Sequence, residues 1–218
     1  MTSHTISSDQ NHILSLIKSK GVGASMSKHL DSESIQSLHS LFQSSNVHIA
    51  SKATLLTAIL ILPANEAESR WISDAKANYT QRFPEELHTI FDPKASAFTL
   101  DSINQKILRS EALNETETRD AILEILSPEC PDEKKAVFLE GLRLKRESCL
   151  ENQAVYQTLY QGSHRLTLSI DTLVEIADPF DGFKRHLNIS PFIACLMAAM
   201  GVPTLLQGID EGGPKYGL

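Results

Sequence analysis

The chain has 218 residues, and its content of 41% hydrophobic and 22% charged residues is that of a packed globular protein, which excludes a wholly disordered chain. The formal net charge of -7 argues against a general nucleic-acid-binding surface. Three cysteines, Cys130, Cys149 and Cys195, include no Cys-x-x-Cys pair, so neither a disulfide framework nor a zinc site is indicated. The first ten residues lack the apolar core of a secretion signal, so we expect a cytoplasmic protein.

Most of the chain has the apolar periodicity of helices, with residues at three- and four-residue spacing. Gly21 is expected to end the first helix, and Asp31 or Ser32 to cap the second. Ser51 is expected to begin a third helix. The segment 92–98 contains a proline and several small residues, which predicts an internal linker.

After this linker the helical pattern repeats, at an offset of about 83 residues. Leu113-Asn114 precedes a helix in the way that Leu30-Asp31 does. Pro131-Asp132 then opens a helix that matches the one carrying Ala53 and Leu56. The offset slips by one residue between the two helices. Two copies of one unit, or two ordinary helical hairpins without common origin, are both compatible with this pattern.

The C-terminal part of the sequence has a different character. Leu173–Ile176 and Val202–Leu206 are predicted strands, and Phe192–Met200 is a predicted helix that is apolar on all sides. The uncharged stretch Leu187–Ile209 has nearly the length of a membrane span, but prolines, glycine and polar residues interrupt it. We therefore predict a buried helix between two parallel strands and no membrane partner. Such a helix needs cover on every side, so we expect the chain to dimerise or aggregate.

Two stretches of the sequence resemble the anthranilate phosphoribosyltransferase family, which shares its architecture with the pyrimidine nucleoside phosphorylases. Residues 112–148 contain a capped helix and a second helix ending in Leu142-Arg-Leu-Lys-Arg-Glu147, as in the small helical domain of that family. Downstream, Asp181-Gly182, Asn188-Ile189-Ser190 and Gly208 match its glycine-rich loop, its Asn-Ile-Ser-Thr helix start and the glycine after its second strand. The ending 213–217, Gly-Pro-Lys-Tyr-Gly, is most similar to a divergent anthranilate-phosphoribosyltransferase-like branch.

The resemblance implies a fold, a reaction and a set of binding residues. The fold is mainly α: helical bundle domains at 1–92 and 99–165, followed at 166–218 by the first βαβ unit of an incomplete α/β catalytic domain. The reaction is transfer of phosphoribose to a small aromatic amine or base, as in tryptophan biosynthesis, with Mg²⁺ in intact relatives and a homodimer formed through the helical domain. The implied ligand is phosphoribosyl pyrophosphate, and its candidate binding residues are Asp181, Gly182, Asn188, Ser190 and Gly208, with Lys184 and Arg185 facing the phosphates.

The sequence also departs from the family pattern. Ala177-Asp178-Pro179-Phe180 replaces the glycine-rich run, so one backbone donor is lost and a negative charge stands where diphosphate should lie. Leu206 and Gln207 replace the lysine and histidine expected before Gly208. The acidic pair that binds magnesium in the family belongs to the second half of the catalytic domain, which this chain does not contain. We therefore expect weak or absent turnover, and we assign neither catalytic residues nor metal ligands.

A non-catalytic binding or dimerisation module is the alternative function. A nucleic-acid-binding variant of it rests on basic residues on or near one predicted helix: Lys134, Lys135, Arg143, Lys145 and Arg146. Their spacing spreads them around the helix, and glutamates lie among them. A solvated helix face is therefore the favoured interpretation of these residues.

Overall fold

We describe the fold from a computed structural model, which describes residues 6–93, 98–164, 167–177 and 189–207. The chain is predominantly helical, as the sequence predicts. It divides into two compact units, 1–163 and 164–218. The predicted helical segment 1–92 lies in the first unit, and so does the segment 99–165 except for its last two residues. The predicted α/β region begins at residue 166, close to the boundary between the units.

The first unit is a set of packed helices, several of which begin at a side-chain cap. Its α-helices are α1 (Ser8–Lys20), α2 (Ser32–Gln43), α3 (Ile49–Ile61), α4 (Glu66–Ala77), α5 (Tyr79–Arg82), α6 (Thr99–Leu108), α7 (Glu115–Leu126), α8 (Asp132–Lys145) and α9 (Cys149–Gly162), with a 3₁₀ helix (Glu85–Ile90) between α5 and α6. Gly21 closes α1 and Asp31 caps α2, as predicted. Helix α3 begins at Ile49, so the predicted start at Ser51 is wrong by two residues. The His48 ring caps the helix by accepting a hydrogen bond from the N–H of Ala50.

The core of the N-terminal half is aromatic at its centre. The rings of Phe42 and Phe83 meet edge to face at 4.9 Å, and Trp71 lies 6.1 Å from each of them. Phe42, Phe83 and Trp71 are all buried. Because Phe83 follows α5, this cluster holds the α5 segment over α2 and α4.

Helices α3 and α8 form the centre of the first unit and pack against each other. Helix α3 is apolar around most of its circumference and buries residues on all sides. Gly141 of α8 lies so close to its neighbours that an added Cβ would clash with Ile107 of α6 and touch Ile61 and Thr57 of α3. Helix α6, which the sequence analysis did not identify, therefore packs into the same centre.

The order of the helices fits the repeat predicted from the sequence, which stays a prediction. Helices α2, α3 and α4 correspond in order to α7, α8 and α9. Side-chain N-caps occur at equivalent places, with Asp31 and Asn114 before the first helix of each copy, and Asn65 and Ser148 before the third. We call the two sets the first copy and the second copy. Their common origin stays a prediction.

The second unit contains two short parallel strands joined through a helix. Strand β1 (Val174–Ala177) pairs with β2 (Thr204–Gln207), and α10 (Ser190–Ala199) lies between them in the chain. These positions agree with the predicted strands to within one or two residues. In the described part of the chain no strand precedes Val174, and no helix there is both long and apolar enough to cross a membrane.

Candidate functional site

The predicted ligand-site residues lie in the chain between β1 and the start of α10, and directly after β2. Ala177 and Gln207, the last residues of the strands, are paired in the parallel register. The side-chain amide of Gln207 donates a hydrogen bond to the carboxylate of Glu175 on the neighbouring strand. The edge from which the predicted loop 178–188 and Gly208 continue is therefore formed by two adjacent strand ends.

Ser190 is the one predicted site residue that the structure describes. It is half-buried and is the first residue of α10, with Pro191 following it in the first turn. The N-cap position falls on Ile189, which has helical backbone angles and an apolar side chain. The other predicted site residues lie outside the described residues: Asp181, Gly182, Lys184, Arg185, Asn188 and Gly208.

Magnesium, which the family resemblance implies, finds no matching set of residues in the described structure. Within those residues there is no group of three or more His, Cys, Asp or Glu side chains that could hold a metal ion. We therefore derive no chemical step through a metal.

A buried glutamate, Glu68, is the most strongly perturbed acid in the described structure. One carboxylate oxygen accepts hydrogen bonds from the N–H of Leu30 and from Lys20 Nζ, both at 2.9 Å. The other accepts from the N–H of Asn65 at 2.8 Å and lies 2.8 Å from His29 Nδ1. Burial alone would raise the pKa of the Glu68 carboxyl, but these hydrogen bonds lower the pKa to about 2.

Glu151 of the second copy is held in the same way. It accepts hydrogen bonds from the N–H of Leu113 at 2.8 Å and of Ser148 at 2.7 Å, and Lys145 Nζ reaches both carboxylate oxygens at 2.6 and 2.8 Å. Burial raises the pKa of this carboxyl, and the hydrogen bonds from Lys145, Ser148 and Leu113 outweigh it, so that the pKa is lowered. Glu68 and Glu151 are both ionised and fully engaged, so they are structural groups and not proton donors for a reaction.

A third buried ion pair joins α6 to α8. Lys134 Nζ lies 2.6 and 2.8 Å from the two carboxylate oxygens of Asp101. Beside the pair is a cavity of about 10 Å³, which has room for one water molecule. The amide oxygen of Asn104, which lines this cavity, is buried without a protein partner. Burial raises the pKa of the neighbouring Glu133. The cavity is too small for an organic substrate.

A larger cleft lies between α4, α6 and the residues around the 3₁₀ helix. It has a volume of about 360 Å³, and the rings of Tyr79 and Phe91 stack at 5.4 Å in its wall. Gln105 is already engaged, since its amide donates to the carbonyls of Thr89 and Ile90. Arg109 is paired with an acidic neighbour. The cleft thus combines aromatic surface with polar lining residues, of which Gln105 and Arg109 are already engaged.

The structure changes the interpretation of the basic residues on α8. Lys134 and Lys145 are buried in the ion pairs described above, and Arg143 is paired with a glutamate of its own helix. The prediction of a solvated face is therefore wrong for Lys134 and Lys145. Lys135 and Arg146 are the remaining members of the group, so the residues do not form a basic surface for nucleic acid.

Sequence reasoning missed these buried charges, although it contained a signal for two of them. Asn65-x-x-Glu68 and Ser148-x-x-Glu151 are capping boxes, in which the acid at the third helical position folds back onto the cap. The pattern predicts the helix start but not the lysine, because Lys20 and Lys145 reach the carboxylates from other helices.

Comparison with known proteins gives a distant similarity. The chain is 26% identical over 100 residues to the uncharacterized protein YbiB of Escherichia coli (strain K12). The aligned part is 45% of this chain and 31% of YbiB, so the chain matches less than a third of that protein. No family model matches the chain, and no solved structure matches it. These comparisons assign no family and no activity.

Proposed function

We propose that the chain is a phosphoribosyltransferase-like protein whose second unit binds a phosphoribosyl pyrophosphate-like ligand with little or no turnover. The observation that supports this is the parallel pairing of β1 and β2, with Ala177 beside Gln207 and α10 between the strands in the chain. In open parallel sheets, ligands bind outside the carboxyl ends of the strands. The segment carrying Asp181 and Gly182 begins directly after β1, and Gly208 directly follows β2.

The chemistry of such a site is electrostatic. Backbone N–H groups of a glycine-containing turn and of a helix start attract phosphate oxygens, and Ser190 stands in the first turn of α10. Lys184 and Arg185 would add positive charge. Asp178 and Pro179 reduce the field for diphosphate, and Leu206 and Gln207 stand in place of the lysine and histidine expected before Gly208. The site is therefore expected to hold a phosphorylated sugar without stabilising the departure of its pyrophosphate.

Calorimetric titration of the full chain with phosphoribosyl pyrophosphate, with and without Mg²⁺, tests this proposal. Replacing both Lys184 and Arg185 by alanine should weaken binding about thirtyfold or more, since each phosphate contact contributes roughly 1 kcal/mol or more. Lys28→Ala, at an exposed position in the first unit, is the matched control and should bind like the wild type. Absence of binding at millimolar ligand would refute the proposal. Turnover with anthranilate that Asp181→Ala abolishes would show an active transferase instead.

A second candidate function, a non-catalytic assembly module, is favoured by the exposed apolar surface of α10. Phe192 and Leu196 of α10 are exposed by 62% and 65%, and Met200, which follows the helix, by 79%. Exposed apolar surface of this kind marks an interface in soluble proteins. Light scattering of the full chain should therefore detect self-association, and deletion of the residues after Ser169 should improve solubility. A monodisperse monomer with no gain on deletion would exclude this function.

A further inference from the structure

The side chain of Lys52, in the first turn of α3, differs from the other lysines that the first unit buries. Four lysines of the described structure have side chains with little exposed surface: Lys20, Lys52, Lys134 and Lys145. Except at Lys52, the ammonium nitrogen lies between 2.6 and 2.9 Å from an oxygen of a buried carboxylate. Lys52 is 6% exposed, and its Nζ has no hydrogen-bond acceptor and no ion pair among the described residues. Buried charges in proteins are normally paired, so Lys52 requires an explanation.

The surroundings of Lys52 disfavour its charged form. Burial lowers the pKa of the ammonium group, because the cation loses hydration, and the charge of Glu86 on the 3₁₀ helix offsets only part of this effect. Lys52 is also the fourth residue of α3, close to the positive end of the helix dipole. The neutral amine, which is the nucleophilic form of lysine, is therefore more populated here than at an exposed lysine.

The nitrogen of Lys52 can still be reached from solvent. In the part of the chain that the structure describes, the fully enclosed side-chain polar atoms without a partner are Ser27 Oγ, Thr57 Oγ1 and Asn104 Oδ1. Lys52 Nζ is not among them, so this nitrogen lies at the surface while the rest of the side chain is covered. An opening of this size suits a small reagent. Side chains of a helix lean toward its N-terminus, where the backbone N–H groups and the dipole attract phosphate.

Loss of the positive charge has different consequences at Lys52 and at the paired lysines. Each paired lysine faces a carboxylate that is itself buried, and an uncharged lysine would leave that anion without its cation: Glu68, Asp101 or Glu151. The acid near Lys52 is Glu86, which is exposed and keeps its hydration. Among these four lysines, Lys52 is therefore the one whose charge the fold can lose without leaving a buried anion unpaired.

We propose that Lys52 is a modification site that is acylated by small acyl phosphates. The neutral amine attacks the carbonyl carbon, and a carbon–nitrogen bond forms as the bond from that carbon to the phosphate oxygen breaks. Phosphate leaves with the electron pair, and the nitrogen loses one proton to water. The product is an uncharged amide, which removes the buried cation. The site belongs to the first unit and does not depend on either function proposed above.

Incubation of the full chain with acetyl phosphate at neutral pH tests the proposal. Digestion at glutamate and mass spectrometry then give the acetylation rate of each lysine, with the exposed Lys28 and Lys76 as internal references. Lys52 should react at least about threefold faster than either reference, because more of it is the neutral amine. In the chain unfolded by urea the three rates should be equal. A rate at Lys52 no higher than at the references, or a preference that persists in urea, overturns the proposal.

A second measurement tests whether the fold accepts an uncharged side chain at Lys52. Lys52→Gln imitates the acylated lysine, and Lys145→Gln is the matched control, because both remove a charge and part of a covered side chain. Thermal unfolding should show a smaller fall of the midpoint for Lys52→Gln, since Lys145→Gln leaves Glu151 buried without its cation. A fall for Lys52→Gln as large as that of the control, or failure of this variant to fold, overturns the proposal.

Discussion

The two copies within the first unit solve one electrostatic problem with different residues. Each buries a glutamate at the third position of its last helix and offers it the N–H of a leucine from an earlier loop. The compensating lysine comes from the end of α1 for Glu68, and from the end of α8 for Glu151. The comparison shows that the buried carboxylate requires a cation nearby but does not fix the helix that supplies it.

The outer surfaces of the two copies differ more than their interiors. The α5 segment covers part of the first copy through Phe83, which packs on Phe42 and Trp71. The second copy has no corresponding segment among the described residues of the first unit, and its outer helices α7 and α9 expose large apolar side chains such as Leu123 and Tyr156. Burial thus constrains equivalent positions strongly, and the exposed positions are free to serve binding.

Removing either buried glutamate should give the largest loss of stability. Glu68→Ala and Glu151→Ala each leave a buried lysine without its partner, which costs about 3–5 kcal/mol. Urea denaturation would measure the free energy of unfolding. The control is Glu66→Ala, because Glu66 is largely exposed and pairs with the exposed Arg70. This variant should change the free energy of unfolding by less than about 0.5 kcal/mol. Equal, small losses for all three variants would mean that the lysines are hydrated when unpaired.

Acid should weaken the first copy through Glu68. Its folded pKa of about 2 is below the ordinary value of 4.5, so the folded state binds the proton less tightly than the unfolded state. The resulting stability, about 3 kcal/mol, is complete above pH 4.5 and is lost as the pH falls toward 2. Urea denaturation between these pH values should show this loss. Glu68→Gln should remove most of the pH dependence, and a variant that keeps the wild-type slope would assign it to other carboxyls.

The close approach of α8 to α6 and α3 can be tested at one glycine. Gly141→Ala gains helix propensity, yet its methyl group would overlap Ile107. Overpacking of this kind costs about 1–3 kcal/mol, which exceeds the gain of about 1 kcal/mol. Thermal unfolding should therefore show a lower midpoint for Gly141→Ala, and Gly162→Ala, where an added methyl meets open space, should not. A stabilised Gly141→Ala would mean that Ile107 moves aside freely.

The helices and strands were largely predictable because their signals are local. Gly21, which has no side chain, ends α1, and the side chain of Asp31 caps α2. The position of strand β1 was predicted to within one residue. The buried pairs were not predictable, because Lys134 and Asp101 come from helices that the sequence separates. Helix α6 was missed since it is short and follows a proline-containing linker. Of the predicted ligand site, the described residues include Ser190 alone.

The smallest expected effects concern the caps at equivalent positions of the two copies. Asn65 and Ser148 each accept the N–H of the glutamate three residues later, at 2.8 and 3.2 Å. Because both residues perform this role in one scaffold, the exchanges Asn65→Ser and Ser148→Asn should each change the free energy of unfolding by less than about 0.5 kcal/mol, whereas Asn65→Ala and Ser148→Ala should cost about 1 kcal/mol. Urea denaturation of the four variants would test this. Exchanges as harmful as the alanine variants would show that the two copies fit their caps individually, and the correspondence between them would then hold for the backbone but not for the side chains.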